Sequence, residues 1–316
     1  MSMSPQEVFE LPDPSSSDPG AVNEPDRHAT TESLTRGRLI LRRFLRHRTA
    51  LAAVVVLMLM FLLAYLGPYL TVWKYDDFDQ EHILTGPSAN HFFGVDQLGR
   101  DVFARTLHGL QKSLIIGVFA ALITTAFAAL AGSVAGYFGR WVDAGLVWVI
   151  DLLLVLPSFL VLAILSPVLA GKSWLWLVLL LSVFGWMITG RVVRGMTLSL
   201  KEREYVNAAR FMGVGSFTII RRHLLPNMAS LLIVDVTINV GVTILAETSL
   251  SFFGFGVQAP DVSLGTVLGD SQDLATTYPH VFLFGGVLLI ITVLCVSVIG
   301  DALRDAIDPS SGTSTL

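Results

Sequence analysis

Cysteine is nearly missing from this sequence: Cys295 is the one example among 316 residues, and it sits inside an apolar run. That excludes an intrachain disulfide framework and a cysteine cage for a metal. Charge is scarce too. Asp, Glu, Lys and Arg make up 15% of the chain against 53% hydrophobic residues, too apolar a balance for a soluble domain of this length. Catalytic combinations are also lacking. His91, His108, His223 and His280 all fall outside the long apolar runs, so a membrane-embedded enzyme built on a HExxH zinc site or a Ser/His pair has no support. A nucleotide fingerprint is missing as well. Gly171-Lys172-Ser173 imitates the end of GxxxxGK[ST], but Ser166 stands at the first glycine position and Pro167 lies inside the stretch. A short turn is predicted there. The chain is expected to be no enzyme, to have no catalytic or metal site, and to bind no cofactor.

What remains is an all-α, polytopic membrane protein. Residues 1–35 are rich in Ser, Pro and acids, with Arg27 the one Arg or Lys. They are predicted to be a disordered cytoplasmic tail, not a signal peptide. Arg36, Arg38, Arg42, Arg43, Arg46 and Arg48 then precede an apolar run over about 49–70. That adjoining run argues against nucleic-acid binding by the basic cluster. Runs of ~20 apolar residues span a bilayer as helices. Five further spans are predicted at about 114–138, 145–170, 174–188, 224–246 and 281–300 within a permease domain of 36–308. A flexible tail at 309–316 follows. The formal net charge of −4 says little, because the charges are segregated by loop. Arg140, Arg191, Arg194, Lys201, Arg203, Arg210, Arg221, Arg222 and Arg304 fall with the first arginine cluster on one side; the other side holds only Lys74, Arg100, Arg105, Lys112 and Lys172, and its long loop Glu247–His280 has no Lys or Arg. The positive-inside rule places both termini in the cytoplasm.

The polar stretch Glu202–Asn227 stands between two of these runs. Tyr205, Ala208, Ala209 and Met212 recur at i, i+3, i+4 and i+7, one face of a short helix, and Gly213 and Gly215 then turn the chain. The small residues Ala208, Ala209 and Gly213 suit a docking knob. The pattern Ala208-Ala209, Gly213, then Leu225-Pro226 resembles the "EAA" loop of permease subunits of ABC importers. The ending Arg222–Asn227 resembles the peptide-permease branch in particular. Asn207 stands where many members have a glutamate, and Glu204 is positioned to supply that charge.

Two more stretches carry the same resemblance. His91, Phe93, Gly94, Asp96, Gly99, Arg100 and Asp101 resemble the H-x-F-G-T-D-x-x-G-R-D signature of dipeptide/oligopeptide permeases, with Val95 replacing Thr. Beyond it, Val102, Phe103, Leu107 and Leu110 fit an amphipathic helix along the outer interface. Glu247, Ser249, Ser251, Gly254 and Gly256 resemble the E-x-S-L-S-F-L-G-x-G signature. Their glycines fit either a re-entrant, gate-forming segment or a buried outer cap. Asp151 and Asp235 lie inside predicted spans, where a charge must face protein or water. Either one could line a path, and either could be a satisfied packing residue. Pro157 is predicted to kink its span. Gly132 and Gly136, beside Ala128, Ala129 and Ala131, allow close helix contact within the subunit or with a partner.

The resemblance implies a type I ABC importer permease for dipeptides or oligopeptides. It implies a heterodimer with a second permease, embedded in lipid of the bacterial cell membrane. Two ATPase domains would hold ATP and Mg, and an extracytoplasmic substrate-binding protein would deliver the peptide. Glu204, Tyr205, Ala208, Ala209, Met212, Gly213, Leu225 and Pro226 would couple to the ATPases. Nickel or a haem-like ligand is the alternative cargo.

Overall fold

The computed structural model describes residues 36–169 and 173–307. The tails predicted for 1–35 and 309–316, with Gly171 and Lys172, lie outside them. Among the described residues every regular element is helical, and the one extended pairing is an isolated bridge between Val95 and Asp101. The helices are α1 (Arg36–Phe44), α2 (Arg48–Leu66), α3 (Val102–Phe138), α4 (Arg140–Val155), α5 (Ser158–Leu169), α6 (Leu175–Gly185) and α7 (Met187–Leu200). They continue with α8 (Glu204–Phe211), α9 (Ser216–Ile219), α10 (Leu225–Phe252), α11 (Leu264–Ser271) and α12 (Pro279–Ile307).

The spine is α3. Its 37 residues at 1.5 Å per residue extend about 55 Å. It packs along α7 and α10, with α6, α11 and α4 against the rest of its length. Asp101 starts it as an N-cap, its side chain accepting from the Ala104 amide at 2.7 Å. Gly132 and Gly136 let α7 in close. A Cβ at Gly132 would stand 2.5 Å from the Gly190 carbonyl oxygen, and one at Gly136 would stand 2.7 Å from Thr197 Cβ. The small-residue pair therefore serves packing within this chain.

Among the described residues four helical stretches are long and apolar enough to cross a bilayer: Arg48–Tyr69, Val102–Phe138, Ser216–Phe252 and Pro279–Ile307. Two bent pairs, α4 with α5 and α6 with α7, bring the number to the expected six when each is one span. The bends are sharper than a kink. α4 and α5 meet at 86°, because Leu156 before Pro157 takes the extended conformation (φ −75°, ψ 126°). α6 and α7 meet at 49° around Trp186, and the helix expected to end near 188 runs on to Leu200. A second difference concerns Val102–Leu110. Instead of an interfacial helix, these residues are the first turns of α3, with Leu107 and Leu110 fully buried. Leu110 packs with Met60 and Ala64 of α2 and Leu264 of α11, and Leu107 lies against Gly67. By contrast α4 and α5 leave large apolar side chains bare, Trp141, Val155 and Ile164 among them. Such a surface fits lipid or a partner helix.

Candidate functional site

α8 and α9 form a hairpin at the C-terminal end of α3. Arg203 enters α8 in extended conformation, and a Schellman motif closes it. In that motif Gly213 N–H donates to the Arg210 carbonyl at 3.0 Å and Val214 N–H to that of Ala209 at 3.1 Å. Gly213 takes φ +76°, which a side chain would resist. After α9 a wider π-turn, Ile220–Leu224, leads directly into α10, where Pro226 is tolerated in the first turn.

The two faces of the hairpin differ. Val206, Ala209, Ile219, Ile220 and Leu224 are buried together with Val193 of α7 and Met228 of α10. Outward stand Phe211 (90% exposed), Met212 (76%) and Phe217 (68%), with Tyr205, Ala208 and Glu204 beside them. This corrects one reading of the sequence. Ala209 does not belong to the outward knob; at 2% exposure it seals the hairpin onto α7 and α10. It lies three residues after Val206, on the same inward face. Asn207 bonds the hairpin's own Glu202 carbonyl at 3.2 Å. Leu225 is half-buried, and exposed Pro226 lines a shallow cavity with Phe217, Arg221 and Arg222. Phe211 stands outside the i, i+3, i+4, i+7 face, so that spacing does not mark it.

The two intramembrane acids have different surroundings. Asp151 of α4 pairs with Arg191 of α7, both about half exposed, and Asp143 pairs with Arg194 along the same helices. Asp235 of α10 accepts from Thr125 Oγ1 of α3 at 2.6 Å, Thr189 Oγ1 of α7 at 2.7 Å and Asn239 Nδ2 at 2.9 Å. It thus ties three helices together. It also lines a cavity of about 510 Å³ with Thr189, Val192, Ser230 and Ile238.

At the opposite end of α3 the other two signatures meet. Gly94 (φ +83°) and Gly99 (φ +82°) turn the loop in a conformation suited to glycine. Asp96 Oδ1 accepts from the amides of Leu98 (2.8 Å) and Arg100 (2.9 Å); its Oδ2 accepts from Arg100 Nε (2.8 Å) and Arg105 Nη1 (3.0 Å). Arg105 reaches on to Asp270 of α11 at 2.9 Å. The signature is a self-bracing turn that locks loop to helix. Glu247 is fully buried, accepting from Ser113 Oγ of α3 at 3.0 Å and Ser251 Oγ at 2.6 Å. Ser113 Oγ in turn accepts from the Leu264 amide that opens α11, at 3.1 Å. The chain after Phe252 folds back on Ser251, whose Oγ accepts from the Val257 amide at 3.0 Å. Gly256 passes so close to Ser251 that a Cβ has no room. Ser249 and Gly254 remain on the exposed side. Between these loops lies a cavity of about 620 Å³ lined by Tyr75, Arg100, Arg105, Phe253, Asp261 and Asp270.

Where the first signature begins, its His91 converges with Asp79 and His82. Desolvation pushes the Asp79 carboxyl up, but hydrogen bonds from His82, the Glu81 amide and His91 outweigh it and hold the group below its ordinary range. The signature marks His91, but no spacing ties it to Asp79 and His82; an irregular loop brings the three together.

The model of the family described as "Binding-protein-dependent transport system inner membrane component" matches residues 128–312. That of the "N-terminal TM domain of oligopeptide transport permease C" matches residues 35–87. An oligopeptide transport system permease protein of Mycobacterium tuberculosis is 51% identical over 282 residues, 89% of this chain and 97% of that one. A dipeptide transport system permease protein of Bacillus subtilis is 39% identical over 270 residues, 85% of this chain and 84% of that one. A glutathione transport system permease protein of Pectobacterium atrosepticum is 36% identical over 269 residues, covering 85% and 89%. A solved structure of the MetNI methionine ABC transporter in an inward-facing conformation aligns with 63% of this chain and 96% of its own, at 20% identity and a TM-score of 0.48.

Proposed function

Since this chain belongs to the inner-membrane components of binding-protein-dependent transport systems, we propose that it is the permease subunit of an ATP-driven importer of oligopeptides or dipeptides. It forms half of the translocation path beside a second permease. Two ATPase domains, which carry the ATP and Mg, dock on the outward face of α8, and a binding protein delivers peptide to the outer loops. Both termini lie in the cytoplasm, as the arginine bias supports.

One observation carries this reading: the exposed knob of Phe211, Met212 and Phe217 stands on a buried cluster shared with α7 and α10. Closure of the ATPases moves the knob. Val206, Ala209 and Leu224 pass the displacement on as a packed unit, because tightly packed side chains shift together rather than deform. The same α7 and α10 carry Thr189 and Asp235, so the displacement reaches the cavity they line. Peptide cargo has better support than bare nickel or a haem-like ligand. The named relatives are oligopeptide, dipeptide and glutathione permeases, and Asp235 is surrounded by hydroxyls and an amide instead of the imidazole or thiolate donors that suit such metals.

Reconstitution in proteoliposomes tests the proposal. With its partner subunits the complex should take up labelled peptides only with ATP, and loaded binding protein should stimulate hydrolysis. Asp235→Asn should keep assembly and alter the preference across a peptide panel. Failure of every peptide, or hydrolysis indifferent to loaded binding protein, would overturn the assignment.

A further inference from the structure

We propose that Asp79, His82 and His91, at the N-terminal end of α3, form a binding site for a zinc-class divalent cation. The three donor atoms, Asp79 Oδ2, His82 Nδ1 and His91 Nε2, lie within 4.8 Å of one another. Asp79 Oδ2 is 2.9 Å from His82 Nδ1 and 3.3 Å from His91 Nε2. Zinc bonds of about 2.0–2.2 Å in a tetrahedron put donors roughly 3.3–3.5 Å apart. The His91 edge fits that length, while the His82 edge, a hydrogen bond at 2.9 Å, must open slightly. The third closes by a swing of His82, whose side chain is 54% exposed.

The arrangement around the donors is that of a metal site rather than a chance cluster. His91 is 3% exposed, and its Nδ1 hydrogen-bonds Asp101 Oδ2 at 2.8 Å, which leaves Nε2 facing the centre. A carboxylate on the far nitrogen of a ligating histidine is the recurrent outer partner that fixes ring orientation and raises basicity. Asp101 is itself fixed, since its other oxygen caps α3. The His91 ring stacks on Trp73 with centroids 4.8 Å apart. Asp79 Oδ1 accepts from the Glu81 amide at 3.0 Å, which aims Oδ2 at the imidazoles. The Asp79 amide donates to the Gly99 carbonyl at 2.6 Å and anchors that ligand to the signature loop. Two imidazoles with one carboxylate favour zinc over magnesium or calcium, which take oxygen ligands. The fourth position opens to solvent beside His82 and takes water. A bound ion would tether the 79–91 segment to the start of α3. The site stands on geometry alone and is independent of the cargo.

The test uses the full-length chain in detergent, purified through a histidine-free tag and stripped with chelator. Zinc titration against a chromophoric chelator should give one tight ion per chain, with an absorption fine-structure shell containing two imidazoles. A large excess of magnesium should leave occupancy unchanged. His82→Ala should lose the tight site while melting like the unaltered chain in chelator, because His82 is largely exposed. Asp101→Asn preserves the helix cap and should weaken zinc roughly 10- to 100-fold. His223→Ala, at the other end of the molecule, should bind zinc normally. Less than stoichiometric zinc, unchanged binding in His82→Ala, loss of zinc in His223→Ala, or displacement by magnesium would each overturn the proposal.

Discussion

Two adjacent alanines of α8 should respond in opposite ways to the same substitution. Ala209 is 2% exposed among Val206, Ile219, Ile220, Leu224, Val193 and Met228, most of them fully buried. A tryptophan there has no space to enter. Inserting even single methylenes into a packed core costs about 1–3 kcal/mol, so a whole indole should exceed about 3 kcal/mol and lift the hairpin off α7 and α10. Ala208 is exposed, and tryptophan there meets only solvent until a partner docks. A clash of about 2–3 kcal/mol in the docked state then corresponds to roughly 30- to 150-fold weaker ATPase binding. The assay measures membrane abundance, thermal unfolding in detergent and ATPase co-purification for both variants. Ala209→Trp should unfold at lower temperature before any partner is added. Ala208→Trp should melt like the parent chain yet fail to retain the ATPases. If Ala209→Trp melted normally, the inward packing of α8 would be wrong. If Ala208→Trp co-purified fully, the exposed face would not be the docking face.

Two further expectations concern the outer end and the topology. Glu247→Ala removes the acceptor for Ser113 and Ser251 and opens a hole where α3, α10 and the start of α11 meet. It should cost about 2–5 kcal/mol and lower the melting temperature, while Glu247→Gln, which fills the hole and keeps one acceptor, should cost clearly less; equal melts for parent and Ala variant would contradict the packing. In a Cys295→Ser background, single cysteines at exposed Glu202 and Thr276 should be labelled from opposite faces of the membrane, and labelling of both by an impermeant reagent from one face would defeat the orientation.

The sequence by itself determined the helical class, the approximate position of every apolar run and the three motifs. These are properties of composition and local spacing. A hydrophobic run of ~20 residues has few alternatives to a helix in lipid, and a motif is legible wherever its residues are contiguous. Directions and partners were decided only by the tertiary structure. Spacing put Ala208 and Ala209 on one helical face, but they are one residue apart and so about 100° apart around the axis; the hydrophobic neighbours from α7 and α10 select which of them points inward. Pro157 foretold a disturbance, while the size of the turn, 86°, appears only in the folded chain, where Leu156 takes an extended conformation. Gly132 and Gly136 announced a close contact without naming α7. The acid–arginine bracing of Asp96, Arg105 and Asp270 and the meeting of Asp79, His82 and His91 were invisible for the same reason. A loop with no period gives a sequence no rule for saying which side chains will converge, and only the folded chain brings their atoms within bonding distance.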